Sequence, residues 1–171
     1  MLTPTVRRTW GPAGKTPIHR SFDRRDRISA ISCLTVSPRQ GRINFYFDLL
    51  ADNQTVKAEH TIEFLQNLKK HLGGPMTVIW DGSSVHTKSK KVRAYLSRHP
   101  EIVAETLPGY APELNPDEGV WGWTKYGKLA NLAAIDTEDL RERTIEQFVH
   151  LKDNQKLLKS FIRHTGLKLA A

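Results

Sequence analysis

Leu107-Pro108-Gly109-Tyr110-Ala111-Pro112-Glu113-Leu114-Asn115-Pro116-Asp117-Glu118 runs directly into Gly119-Val120-Trp121-Gly122-Trp123-Thr124-Lys125. Pro108, Pro112, Pro116 and Gly109 exclude regular helix or ladder pairing over the first part, because proline has no N–H to donate and fixes its own φ. That part is a shaped loop. Pro116 suits the first turn of a helix, where its missing N–H is not needed, and the side chain of Asn115 can cap that helix. On the helix, Glu118, Trp121 and Lys125 recur at spacings of three and four, so they share one face. Acids in a first turn ordinarily do no more than complement the helix dipole, and Asp117 and Glu118 taken alone carry nothing further.

A second acid changes the weight of that pair. Pro75-Met76-Thr77-Val78-Ile79-Trp80 is apolar, β-rich and too short for a helix, which predicts a buried strand. Asp81 closes it and Gly82-Ser83-Ser84 follow, so this carboxylate sits at a strand tip opening into a small-residue loop. Sites in α/β sheets are usually built at such tips.

Together, Trp80-Asp81-Gly82-Ser83-Ser84-Val85-His86, the loop ending in Asn115-Pro116-Asp117-Glu118, and Trp121 with Lys125 resemble the catalytic half of DDE transposases from the bacterial insertion-sequence branch of the mariner superfamily. Thirty-six residues separate Asp81 from Glu118, within that branch's range for its second and third acids. Arg7-Arg8-Thr9-Trp10-Gly11-Pro12-Ala13-Gly14-Lys15-Thr16-Pro17 looks like the same family, and the resemblance covers nearly the whole chain, weakest toward its C-terminus.

The resemblance implies an α/β, ribonuclease H-like mixed sheet flanked by helices. It also implies DNA strand cleavage and joining with two Mg²⁺ (or Mn²⁺) ions held about 4 Å apart by carboxylates. Asp81 would bridge both ions and Glu118 would complete one site; the family's Asn-Pro-x-Glu pattern prefers Glu118 over Asp117. His86 matches the motif, either as a hydrogen-bonding residue that shapes the loop or as a metal ligand, the former being its more ordinary role. Tyr110, Asn115, Pro116 and Trp121 are expected to shape the loop and pack, and Lys125 to reach a phosphate.

The family's first acid lies on the first, central strand, just upstream of the Arg7-Arg8 segment. Neither that strand nor its aspartate is found here, and Asp23, Asp26 and Asp48 are poorly placed to substitute. The resemblance therefore implies a truncated catalytic domain, inactive alone. Two unpaired strand edges would face each other, to be filled by the N-terminal arm, a second copy of the chain or a separately encoded N-terminal part. The alternative is a non-catalytic DNA-binding remnant of an insertion element.

The 171 residues suit one domain, and 26 Lys and Arg against 18 Asp and Glu give a net charge of +8, which favours an anionic partner. Double-stranded DNA, as element ends and target, is the expected one. No apolar run reaches membrane-spanning length, so a soluble, cytoplasmic and nucleoid-associated protein without a membrane partner is expected. Cys33, the single cysteine, lies in an apolar run and is expected to behave as a small hydrophobe.

Residues 1–27 form a basic arm in which Arg7, Arg8, Lys15, Arg20, Arg24, Arg25 and Arg27 face only Asp23 and Asp26. Such runs are usually solvated loops. Trp10 among the arginines favours nucleic-acid contact, and Arg7, Arg8, Lys15, Lys88, Lys90, Lys91 and Lys125 are the expected DNA-binding residues. The domain proper spans 28–171. Ile28–Val36 and Ile43–Leu49 predict strands, and Pro38-Arg39-Gln40-Gly41 the turn that pairs them. Ile62, Leu65, Leu68 and Leu72 predict a helix stopped by Gly73-Gly74. One short helix carries Lys88, Lys90, Lys91 and Arg93, with Val92, Tyr95 and Leu96 facing inward; Ile102–Leu107 is a strand. Beyond about residue 137, one or two amphipathic helices are capped by Asp136 or Thr137.

Overall fold

The structure is a computed structural model that describes residues 5–18, 26–38 and 41–167. Strand β1 (Ala30–Val36) pairs antiparallel with β2 (Ile43–Leu49) in the register Ala30↔Leu49 to Val36↔Ile43. Ile43 and Phe45 alternate with exposed or half-buried neighbours, so one face of the hairpin is apolar. Its turn closes through Ser37 N–H donating to Arg42 O and Gly41 N–H to Ser37 O, both at 3.0 Å, with Gly41 at φ +57°. Arg39 and Gln40 of the predicted turn, and Arg20, Asp23, Arg24 and Arg25 of the arm, lie outside the described residues.

Helix α1 (Ala58–Leu72) stops where Gly73 turns left-handed and donates its N–H to Lys69 O. It buries Thr61, Leu65 and Leu68, while Leu72, expected inside, is 38% exposed because the chain is already turning away there. Strand β3 (Met76–Trp80) and β4 (Ile102–Thr106) pair in parallel, Met76↔Ile102 to Trp80↔Thr106. A parallel pair needs a crossover, here α2 (Ser84–Thr87) and α3 (Lys90–Ser97). The sequence predicts one helix; the break comes at Ser89, whose hydroxyl accepts from Val92 N–H and starts a new one. After a 3₁₀ turn over Pro112–Leu114 come α4 (Pro116–Trp123), a π turn over Thr124–Lys128, α5 (Thr137–Asp153) and α6 (Gln155–His164). Asp136 caps α5, accepting from Asp139 N–H at 2.9 Å.

The interior has two parts. Ile43, Phe45, Val120, Phe148, Leu151, Leu158 and Ile162 form the larger, joining the hairpin to α4, α5 and α6. Leu65, Tyr95 and Ile102 form the smaller, with Met76, Val78 and Trp80 packed on it. The expected burial of β3 on both faces is corrected: Ile79 is 59% exposed, because α1 and α3 cover only one face of the β3–β4 pair. Cys33 is half-buried, and burial pushes its thiol up to about 12, so it is no nucleophile at neutral pH.

Among the described residues the two strand pairs are not joined by a ladder, so every strand keeps one unpaired edge. Residues 5–7 of the arm pair with neither sheet. Thr5 bridges Ala130 in parallel, and the Asn131 side chain accepts from Arg7 N–H at 2.7 Å and donates to Arg7 O at 2.9 Å. Asn131 takes φ +58°, a left-handed conformation that asparagine tolerates better than most residues.

Candidate metal and nucleic-acid site

Strands β3 and β4 run in the same direction, so Asp81 and the loop after Thr106 emerge at one end of the pair. Leu107 N–H donates to Trp80 O at 2.8 Å and fixes that exit. Asp81 Oδ1 accepts from Ser83 N–H at 3.0 Å, the local turn that aspartate favours, and lies 3.0 Å from His86 Nδ1. The His86 ring stacks on Trp80 at 4.9 Å and 10°, so the imidazole is held between strand and carboxylate. Oδ2 of Asp81 has no hydrogen-bond partner among the described residues, and the side chain is 58% exposed. Oδ1 shapes the loop.

Helix α4 begins as Asn115 and Pro116 require. Asn115 Oδ1 accepts from Asp117 N–H at 3.1 Å, and Pro116 occupies the first turn. The two acids that follow have separate environments. Asp117 Oδ2 accepts from Ser32 Oγ at 2.6 Å and from Trp121 Nε1 at 3.1 Å, tying α4 to β1. Its Oδ1 is buried without a partner. Burial raises this carboxyl to about 6, against the two hydrogen bonds and with the Glu118 charge adding to the rise. Glu118 is exposed and lines a cavity of about 260 Å³ with Glu113, Asn115, Phe161 and His164. The cavity is small because α4 and α6 are close: a Cβ on Gly119 would stand 2.9 Å from the Phe161 ring.

Asp81 and Glu118 thus belong to different halves of the molecule, one on the β3–β4 pair and the other on a helix packed against β1. Among the described residues no group of three or more His, Cys, Asp or Glu side chains is gathered to hold a metal ion. The two carboxylates are the right kind of donor for Mg²⁺ or Mn²⁺, and fall short in number. A groove of about 750 Å³ lies at the opposite end of β3, beside Pro75, Tyr95, His99 and the Lys69–Glu101 ion pair, which holds the Glu101 carboxyl down at about 2.

Of the predicted DNA-contacting residues, Arg7, Arg8, Lys15, Lys88, Lys90 and Lys125 are exposed. Lys91 is exposed too, and it forms an ion pair with Glu59 across to α1. Among the described residues four cations lie over aromatic rings: Arg7 over Tyr126 at 5.8 Å, Lys125 over Trp121 at 5.3 Å and Lys128 over Trp123 at 5.4 Å near α4, and Lys152 over Phe47 at 5.0 Å on α5. Tyr126 and Lys128 were not picked out from sequence. The signal was there in Trp123-Thr124-Lys125-Tyr126-Gly127-Lys128, where lysines alternate with aromatics. What brings them beside Arg7 is the π turn and the docked arm.

Trp121 packs as expected, edge-on to Phe148 at 5.7 Å. Tyr110 does not: its side chain is fully exposed (106%) at φ +58°, and the packing role expected of it is corrected. Pro108 and Pro112 hold the loop on either side, so the left-handed turn at 110 throws the ring outward.

Residues 1–141 match the family model described as DDE superfamily endonuclease. No curated protein sequence matches the chain. Among solved structures, the chain is similar to the Mos1 transposase paired-end complex with left transposon end, at TM-score 0.63 and 19% identity, covering 95% of this chain and 48% of that one. It is similar to the Mos1 transposase catalytic domain with Raltegravir and Mg at TM-score 0.55 and 19% identity, covering 81% and 79%. For the Mos1 Strand Transfer Complex the values are TM-score 0.54, 19% identity, and 98% and 52% coverage. The chain spans about half the length of the chains in the two complexes. At this identity the likeness is one of fold, and the fold is the mixed α/β, ribonuclease H-like one expected from sequence.

Proposed function

As the chain belongs to the DDE superfamily endonucleases, we propose that it is the catalytic part of a mariner-type DNA transposase, with Asp81 and Glu118 as its metal-holding carboxylates. The observation that carries this reading is the division of labour between adjacent acids. Asp117 is spent on Ser32 and Trp121, whereas Glu118 stays exposed, as does the Asp81 side chain. Divalent cations bound there would activate the attacking oxygen and stabilise the leaving one at phosphorus. The part played by this chain is to hold Asp81 in a fixed rotamer through Ser83 and His86, and to fix the start of α4 through Asn115 and Asp117.

Two donors are too few for a well-held pair of hard cations. The unpaired edges of β1–β2 and β3–β4 suit a further strand, and we place the third carboxylate on it, supplied by a separate polypeptide segment. Such a strand would also join β1–β2, against which the Glu118 helix packs, and β3–β4, at whose end Asp81 stands, into one sheet. The exposed Arg7, Arg8, Lys15, Lys88, Lys90 and Lys125 would bind duplex DNA through its phosphates. No helix is long and apolar enough to cross a membrane among the described residues.

A second reading, duplex binding without catalysis, is favoured by one observation: the described residues gather no set of three metal donors. Cleavage and salt titration separate the two. With the acid-bearing strand supplied, the chain is expected to cut terminal-repeat DNA in Mg²⁺ or Mn²⁺. Asp81→Asn or Glu118→Gln should slow this by roughly 100-fold or more, with duplex affinity unchanged. Undiminished cutting by Asp81→Asn would show that the metal assignment is wrong. Six phosphate contacts would weaken binding by about 10³-fold between 50 and 200 mM salt. Affinity indifferent to salt would exclude phosphate contact as its main source.

A further inference from the structure

Tyr110 presents its whole ring to solvent from a backbone conformation, φ +58°, that an aromatic residue adopts only at a cost. The surroundings enforce that conformation. Pro108 restricts one side, and on the other a 3₁₀ turn is closed by Leu114 N–H to Ala111 O at 3.1 Å and Asn115 N–H to Pro112 O at 3.0 Å. Among the described residues the ring takes part in no hydrogen bond, ring contact or core cluster. A strained, rigid loop that displays an unused aromatic ring is organised for something outside the fold.

The position of the loop limits what that is. It leaves β4 immediately after the Leu107–Trp80 hydrogen bond, at the strand end that carries Asp81, and it leads within eight residues to Glu118. We propose that Tyr110 is a stacking post for an unpaired nucleobase of the strand whose phosphate would meet the divalent cations held by Asp81. This rests on the reading of the site given above. An aromatic face accepts any base, so the contact would recognise a base displaced from the duplex and not its sequence. The phenolic hydroxyl has no part in it.

The test uses the full chain and two DNA probes, a fully paired duplex and the same duplex with one 2-aminopurine opposite an abasic site. The wild-type chain is expected to bind the unpaired probe roughly 5- to 100-fold more tightly than the paired one and to quench its fluorescence. Tyr110→Ala should lose both the preference and the quenching while keeping its affinity for the paired duplex, and Tyr110→Phe should keep all three. Because the ring touches nothing inside the fold, both variants should melt with the wild type. Preference retained by Tyr110→Ala overturns the proposal, and so does its loss in Tyr110→Phe, which would mean a hydroxyl contact. Paired duplex bound with no preference by the wild type defeats the stacking alone. No salt-sensitive binding of either probe defeats the nucleic-acid reading of the chain and the stacking with it.

Discussion

Phe148→Ala is expected to lower the stability of the fold by about 3–5 kcal/mol, the range for truncating a large buried aromatic. Phe148 is fully buried, with its ring 5.1 Å from Phe45 and nearly perpendicular to it, 4.8 Å from Phe47 and 5.7 Å from Trp121. It therefore joins α5 to the hairpin and to the helix that carries Glu118. The loss is the transfer term of the ring plus a cavity that two sheet residues and a tryptophan cannot close. Against a total of about 5–15 kcal/mol for a domain, it removes about a fifth or more, and the midpoint of thermal unfolding should drop by about 6–20 °C. Val149→Ala, one residue away and 51% exposed, should change stability by no more than about 0.5 kcal/mol. Equal losses for the two variants in urea unfolding would mean that α5 does not face the hairpin as described.

Asp117→Asn should abolish a pH dependence that the wild type shows between about pH 4 and 7. In the unfolded chain an aspartate titrates near 3.9, and in the fold burial raises Asp117 to about 6. Between those values the folded state holds the proton more tightly. The stabilisation is therefore complete below the unfolded value and is lost as the pH climbs through the folded one. For about two units of difference the loss is roughly 3 kcal/mol. The geometry shows where the proton sits: Oδ2 already accepts from Ser32 and Trp121, which leaves the buried, unpartnered Oδ1. An asparagine amide can keep both bonds at its oxygen and remain neutral. The two proteins should melt together near pH 4, and the variant should melt higher at pH 7 to 8. Glu101, Asp52, Glu59 and Asp139, whose carboxyls are all held below their usual range by nearby donors, act at lower pH and equally in both. Parallel curves across the whole range would mean that Asp117 is ionised throughout.

Much of the local structure was legible in the chain because local chemistry decides it. Alternation at Ile43, Phe45 and Phe47 marked a strand, Gly73 ended a helix, and Asn115-Pro116 and Asp136 began two others. Departures came where a decision depends on what lies opposite. The apolar run of β3 reads the same whether one face is covered or two, and Ile79 shows that one is bare. Ser89 restarts a helix that periodicity alone would have continued through it. Tyr110 reads as a packing residue until its backbone angle turns the ring outward.

The site divides along the same line. Sequence alone picked out Asp81 at a strand tip and Glu118 in the first turn of a helix, since strand ends and caps are set by neighbours in the chain. Which of two adjacent acids is free, and which is consumed inside, was decided only by tertiary structure. Ser32, on a strand 85 residues away, captures Asp117 and leaves Glu118 at the surface. Burial and pairing depend on the groups that folding brings near, and no local spacing encodes them.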